Sequence, residues 1–126
     1  MAVFKSELLA YTLEAAADYT ADQFTFMDVD TNGRAVQVSS AGGRAIGVLQ
    51  DKPSALGQAA KIQFGGVTKV VAGAAVTMGD DVQSDGNGEA INALTGDIVL
   101  GVAMETAAAQ GEIISVHIGI ASRIHA

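Results

Sequence analysis

The stretch GVLQDKPSALGQAAKIQFGG, residues 47–66, overlays GVAMETAAAQGEIISVHIGI, residues 101–120, without a gap. Gly47-Val48 falls on Gly101-Val102, Ala55 on Ala109, Gly57 on Gly111 and Gly65 on Gly119. Ile46/Leu100, Asp51/Glu105, Gln58/Glu112, Ile62/Val116 and Phe64/Ile118 are conservative pairs. Five identities in twenty columns exceed the roughly two that an Ala- and Gly-heavy composition gives by chance. Upstream the offset slips by one, and Asn32-Gly33-Arg34-Ala35-Val36 falls on Asn87-Gly88-Glu89-Ala90-Ile91. The repeat thus runs over about 32–66 and 87–120. Two copies are too few for a solenoid, so the pattern predicts a mainly β fold, a small barrel or sandwich built from a duplicated hairpin unit, with little helix.

Each unit reads as a strand, an Asn-Gly turn, a second strand, a connection near Gly42 or Gly96, a third strand, a loop and a fourth strand. Asn-Gly offers the two positive-φ positions of a type I′ hairpin turn, which makes Asn32-Gly33 and Asn87-Gly88 the sharpest local signals. Period-two alternation places Ile46, Val48, Leu100 and Val102 on one face, with Gly47 and Gly101 on the other, where a bend or a close backbone approach is expected. The same period turns Ile62, Phe64, Val116 and Ile118 inward and Lys61, Gln63, Ser115 and His117 outward. Val67 to Val71 and Ala75 to Val82 read as further strands, interrupted at Gly73 and at a Gly79-Asp80 turn.

The composition agrees with small-residue strands. In 126 residues there are 23 Ala and 22 Val plus Ile against 7 Leu, 15 Gly, no Trp and no Cys. The balance favours β-branched packing over Leu-rich helix bundles. A length of this order leaves room for one core. Asp plus Glu number 14 against 7 Lys plus Arg, a net charge of -7. Nucleic-acid packaging runs on the opposite balance, so no nucleic-acid partner is expected. The longest apolar runs, such as Val70 to Val76, are far below the roughly 18 residues of a membrane helix, and no membrane partner is expected. The N-terminus lacks the apolar core of a secretory signal, so the chain is expected to begin as made.

Phe4, Leu8, Tyr11 and Ala15 fall at helical spacing, whereas Leu9, Tyr11 and Leu13 fall at strand spacing, and both readings stand. Burying Phe4, Leu8, Leu9 and Tyr11 gains about 1.5–3 kcal/mol each, while ordering some ten residues costs about 1–2 kcal/mol apiece. The front segment therefore barely holds by itself. The expected organisation is an N-terminal arm over 1–22, of which residues 2 to about 18 order by docking, and a single β domain over 23–126.

The inventory for chemistry is thin. Cys is absent, there are two His, and no nucleophile elbow or phosphate-binding loop occurs. His117 takes the place of Gln63 in the repeat and reads as a surface or interface residue, and His125 is penultimate, where a catalytic group is rarely held in place. Asp28-Val29-Asp30-Thr31-Asn32-Gly33 matches the first half of a calcium loop, but Ser39 stands where the closing Glu belongs. Asp80, Asp81 and Asp85 read as solvated turn acids. Val102-Ala103-Met104-Glu105 resembles the tip of biotinyl and lipoyl carrier domains without their modifiable Lys. No catalytic residue, metal site or cofactor is expected, and the chain is expected not to be an enzyme.

Gly47-Val48 and Gly101-Val102 each lead through a loop into Gly-x-x-x-x-Ile/Val-x-Phe/Ile-Gly, with Gly79-Asp80-Asp81-Val82 and Asp85-Gly86-Asn87-Gly88 between them. This layout, over roughly 25–120, resembles the capsid decoration, or cement, proteins of tailed bacteriophages. Ala45-Ile46-Gly47-Val48-Leu49 with the strand Lys61 to Gly65 is similar to the hairpin of lambda-type head-stabilising proteins. The resemblance implies a structural virion protein, made in the host cytoplasm, that binds the major capsid protein on the outer surface of the assembled head, often as a homotrimer. It also implies an N-terminal contact arm, which points to Phe4, Lys5, Leu8, Leu9 and Tyr11 as capsid or subunit interface residues. The same side chains equally suit a cap on the protein's own core. The other class is a non-catalytic β-sandwich binding module, carrier-like or sugar-binding, in a larger assembly; with no Trp and two Tyr a sugar platform is poorly supplied.

Overall fold

The computed structural model describes residues 9–125, with 120–123 as backbone. Among these residues there is no helix, and ten strands follow one another: β1 (Ala10–Glu14), β2 (Phe26–Val29), β3 (Ala35–Gln37), β4 (Gly47–Leu49), β5 (Ala59–Gln63), β6 (Gly66–Val71), β7 (Asp81–Ser84), β8 (Ala90–Asn92), β9 (Ile98–Ala103) and β10 (Ile113–Ile124). They form two antiparallel sheets, ordered β1-β5-β4-β2-β3 and β6-β10-β9-β7-β8. Adding five to each number of the first order gives the second. The duplication therefore takes in β1 and β6 as well, beyond the stretch over which the residues themselves match.

The front segment settles as a strand over Ala10–Glu14, paired in register with β5 from Ala10↔Gln63 to Glu14↔Ala59. Eleven residues link β1 to β2 and nine link β6 to β7. Those two extra residues move the repeat offset from 57 at Ala15/Ala72 to 55 at Met27/Val82, which hides the match at the front. Single parallel bridges, Ala15↔Ala35 and Ala72↔Ala90, draw the two edges of each sheet together. One bridge is not a ladder, so neither sheet closes into a barrel, and the pair forms a sandwich of strongly bent sheets. Alanine at all four positions allows that close approach and accounts for part of the alanine excess.

Within the first sheet Met27, Leu49, Ala60, Ile62, Ala35, Ala15 and Tyr19 form one buried cluster. Their repeat counterparts Val82, Ala103, Ile114, Val116, Ala90, Ala72 and Val76 lie in a second, which Phe26, Val38 and Val48 of the first unit join. Phe26 and Val48 are buried on the face opposite Met27 and Leu49, so the middle of the first sheet is covered on both sides. Ile46 packs against the first cluster and Val48 sits in the second, so the expected common face breaks at the Gly47 bend. Main-chain bonds also join the units: Phe26 N–H donates to the Gly88 carbonyl (2.7 Å), Val71 N–H to Phe24 (2.9 Å) and Gly42 N–H to Ser84 (2.9 Å).

The Asn-Gly turns differ from the two-residue type expected. Val29 pairs with Ala35, so the loop is the five residues 30–34, and only Gly33 takes positive φ (+76°). Its organiser is Asp30, whose Oδ1 accepts the N–H groups of Asn32 and Arg34, both at 2.9 Å. Asp85 does the same for Asn87 (2.8 Å) and Glu89 (3.0 Å). An Asx turn followed by one left-handed glycine thus replaces the I′ geometry. Asp30→Ala and Asp85→Ala should each lower stability by about 1–2 kcal/mol, as two N–H groups lose their acceptor; equilibrium urea unfolding measures it. The stretch 75–82 is likewise not one strand: Val76 makes a single bridge to Ala107, the turn at Thr77–Asp80 closes through Asp80 N–H to the Thr77 carbonyl (3.0 Å), and β7 starts at Asp81.

Candidate functional site

Of the five interface residues expected from sequence, Phe4, Lys5 and Leu8 lie outside the described residues. Leu9 and Tyr11 are brought together around Phe64. Leu9 takes positive φ (+54°), its carbonyl accepts the Phe64 N–H at 2.8 Å, and its side chain covers Gly65 while staying 42% exposed. Tyr11 stands opposite Ile62, with its ring 5.2 Å from that of Phe64. Burial first, and the Asp28 carboxylate second, push the Tyr11 phenol above its ordinary value, so it stays protonated at neutral pH. Tyr11 also packs against the first cluster, so it serves the core at least in part.

Phe64 continues into the seam between the units. There the side chains of Phe64, Ile118, Ile46, Leu100 and Phe26 help to line a pocket of about 200 Å³. Two of its pairs, Ile46/Leu100 and Phe64/Ile118, are repeat counterparts. Gly119 lies directly against Gly65, its own counterpart, and a Cβ on Gly119 would stand 2.6 Å from the Gly65 Cα. Among the described residues no titratable side chain enters this lining.

A second, open cleft of about 450 Å³ crosses the outer side of the same seam, lined by Phe24, Gln50, Lys61, Gln63, Val67, Thr68 and Lys69. Phe24 stands where the second unit has Gly79, a correspondence outside the stretch over which the residues themselves match. The remaining candidates are placed singly. His117 is exposed on β10 opposite Val102. His125 Nδ1 lies 3.5 Å from Asp81 Oδ2, beside Asp80 and Asn92. Asp28 is held by Arg44 at 3.0 Å, and Asp30 by the backbone, which dissolves the half-matched calcium loop. Among the described residues no three His, Asp or Glu side chains converge as a metal site would require.

Glu89 closes the second Asx turn. Burial first and the Asp85 carboxylate second raise it above 4.5, so the folded chain holds this proton more tightly than the unfolded one. Its contribution to stability is full below the ordinary glutamate value and declines as pH rises through the elevated one. Glu89→Gln should remove that decline, flattening the pH dependence of the urea midpoint just above pH 4.5; an unchanged slope would contradict it.

The model of the phage cement proteins matches residues 5–118. The chain belongs to that family. No curated protein matches it in sequence. In structure this cement protein is similar to the head fiber gp8.5 N base of bacteriophage phi29, with a TM-score of 0.69 and 16% identity, over 92% of this chain and 98% of that one. At that identity the likeness speaks for the shared doubled-sheet fold alone. Family membership makes the cement protein a capsid-associated structural protein of a phage virion.

Proposed function

We propose that this cement protein attaches to the outer surface of the assembled head, binds the major capsid protein there and stiffens the shell without catalysis. The family match over residues 5–118 carries this reading. The build of the molecule supports it: two sheets locked by main-chain bonds across their seam make a rigid body, and a net charge of -7 suits a surface away from packaged genome. Phe4, Lys5, Leu8, Leu9 and Tyr11 form the attachment segment in this account, Leu9 and Tyr11 fixing its base to β5. The protein works as a homotrimer, as trivalent attachment multiplies weak single contacts. Purified protein mixed with expanded heads lacking it should co-sediment with them, and light scattering should give about three times the 12.7 kDa chain mass. Absence from the pelleted heads would overturn the attachment, and a monomeric mass both free and on the shell would overturn the trimer.

A further inference from the structure

The cations of this acidic chain are unevenly used. Arg44 pairs with Asp28 at 3.0 Å and Arg34 with Glu14 at 3.7 Å. Lys52, Lys61 and Lys69 form no ion pair among the described residues, and two of them, Lys61 and Lys69, line the open cleft on the seam. Among the described residues no acidic side chain lines it with them. Across the cleft Gln50 Nε2 donates to Thr68 Oγ1 at 2.9 Å, and on one wall Gln63 Nε2 donates to the nearby Gly65 carbonyl at 2.8 Å, which holds both glutamine side chains in place.

Its floor holds an unusual residue. Phe24 has φ +65°, a left-handed conformation that costs a side chain about 1–2 kcal/mol. Its N–H donates to the Leu49 carbonyl at 2.8 Å, just as that of Gly79 donates to Ala103 at 2.7 Å, and Gly79 has φ +92°. The fold therefore asks for a left-handed residue at both places and is served by glycine at one. At the other it carries a phenyl ring, set 5.9 Å below the Lys69 ammonium. Lys61 has Ser115 as its repeat counterpart and Gln50 has Met104, so the lysine is not an echo of the duplication. A phenyl ring kept at a left-handed position that glycine fills in the other unit points to a binding role.

We infer that this cleft is a docking site for a carboxylate-bearing segment of the capsid surface, the two ammonium groups pairing with its acidic side chains and Phe24 packing beneath. The inference rests on the attachment proposed above and names a second contact beside the N-terminal segment. Carboxylates fit better than nucleic acid, since two lysines make a local positive spot while the whole chain repels a long polyanion.

The test is co-sedimentation with heads lacking the protein, at about 50 mM and about 500 mM NaCl. Wild-type binding should weaken with salt. Lys61→Gln/Lys69→Gln should bind about tenfold more weakly at low salt and lose most of the salt dependence. Phe24→Gly should also weaken binding while keeping the β-sheet circular dichroism, since Gly79 already makes the same turn, and Lys52→Gln should bind as wild type. Wild-type binding with an unaffected, still salt-sensitive double variant would overturn the cleft alone. So would Lys61- and Lys69-dependent retention on immobilised DNA. Wild-type protein that fails to bind heads would overturn the attachment and the cleft with it.

Discussion

Gly47→Val and Gly101→Val should each lower the stability of the sandwich by about 3 kcal/mol or more, a large part of what a domain of this size has. Neither glycine needs a left-handed backbone. What each needs is room: a Cβ on Gly47 would collide with the Gln63 carbonyl oxygen and the Ile62 side chain, and one on Gly101 with the His117 carbonyl and Val116. The obstacle is the neighbouring strand's backbone in each case, which cannot turn aside as a side-chain tip can. Valine must therefore push β4 from β5, or β9 from β10, at the middle of the sheet. Gly57 and Gly111 supply the contrast, with φ of +89° and +92° and open space around them. Gly57→Ala and Gly111→Ala should cost only about 1 kcal/mol, the local strain of a left-handed alanine. Urea midpoints of the four variants decide the matter. Equal losses across the set would mean that β4 and β9 do not approach their neighbours as closely as described.

Removing residues 2–8 should abolish attachment to heads and leave the sandwich standing. The cut must stop there because β1 belongs to the first sheet: five of its residues pair with β5, Tyr11 packs against the buried cluster, and Ala15 bridges to Ala35. A deletion reaching residue 12 would halve that strand and confuse lost folding with lost contact. The shorter deletion should cut head binding at least about tenfold, with the urea midpoint close to wild type, and Phe4→Ala/Leu8→Ala should reproduce most of the loss. Full binding by the shortened chain would transfer attachment to other surfaces. A collapse of stability would mean that these side chains cap the protein's own core.

The repeat made most of the fold legible because it sits where the chain has little choice. Gly47 and Gly101 face carbonyls, and Asp51 and Glu105 accept the N–H groups of Lys61 (3.2 Å) and Ser115 (2.8 Å). Gln58 and Glu112 likewise bind the preceding loops, through Ser54 and Ala109. These matching columns are therefore close approaches and loop caps. The β1/β6 pair escaped notice because its register depends on Leu13/Val70 and Ala15/Ala72, ordinary core residues displaced by the two-residue difference in the following loop. Asp30 and Asp85 escaped for another reason: the acidic spacing invited a metal, whereas the turn's own amides take up the carboxylate. Reading Asp30-x-Asn32-Gly33 against Asp85-x-Asn87-Gly88 holds that answer. The contact surface was least legible, since attachment uses a few side chains with no fixed spacing, and Phe24 stands out only once its φ is set beside that of Gly79.

Whether the protein strengthens a shell is read from the thermal stability of heads with and without it. Expanded heads lacking the protein, saturated with it and washed, should disrupt at a temperature several degrees above that of bare heads, since a ligand bound only to the intact shell shifts its melting by mass action. Heads given the 2–8 deletion should disrupt with the bare ones. Saturated heads that disrupt at the same temperature as bare heads would contradict the account.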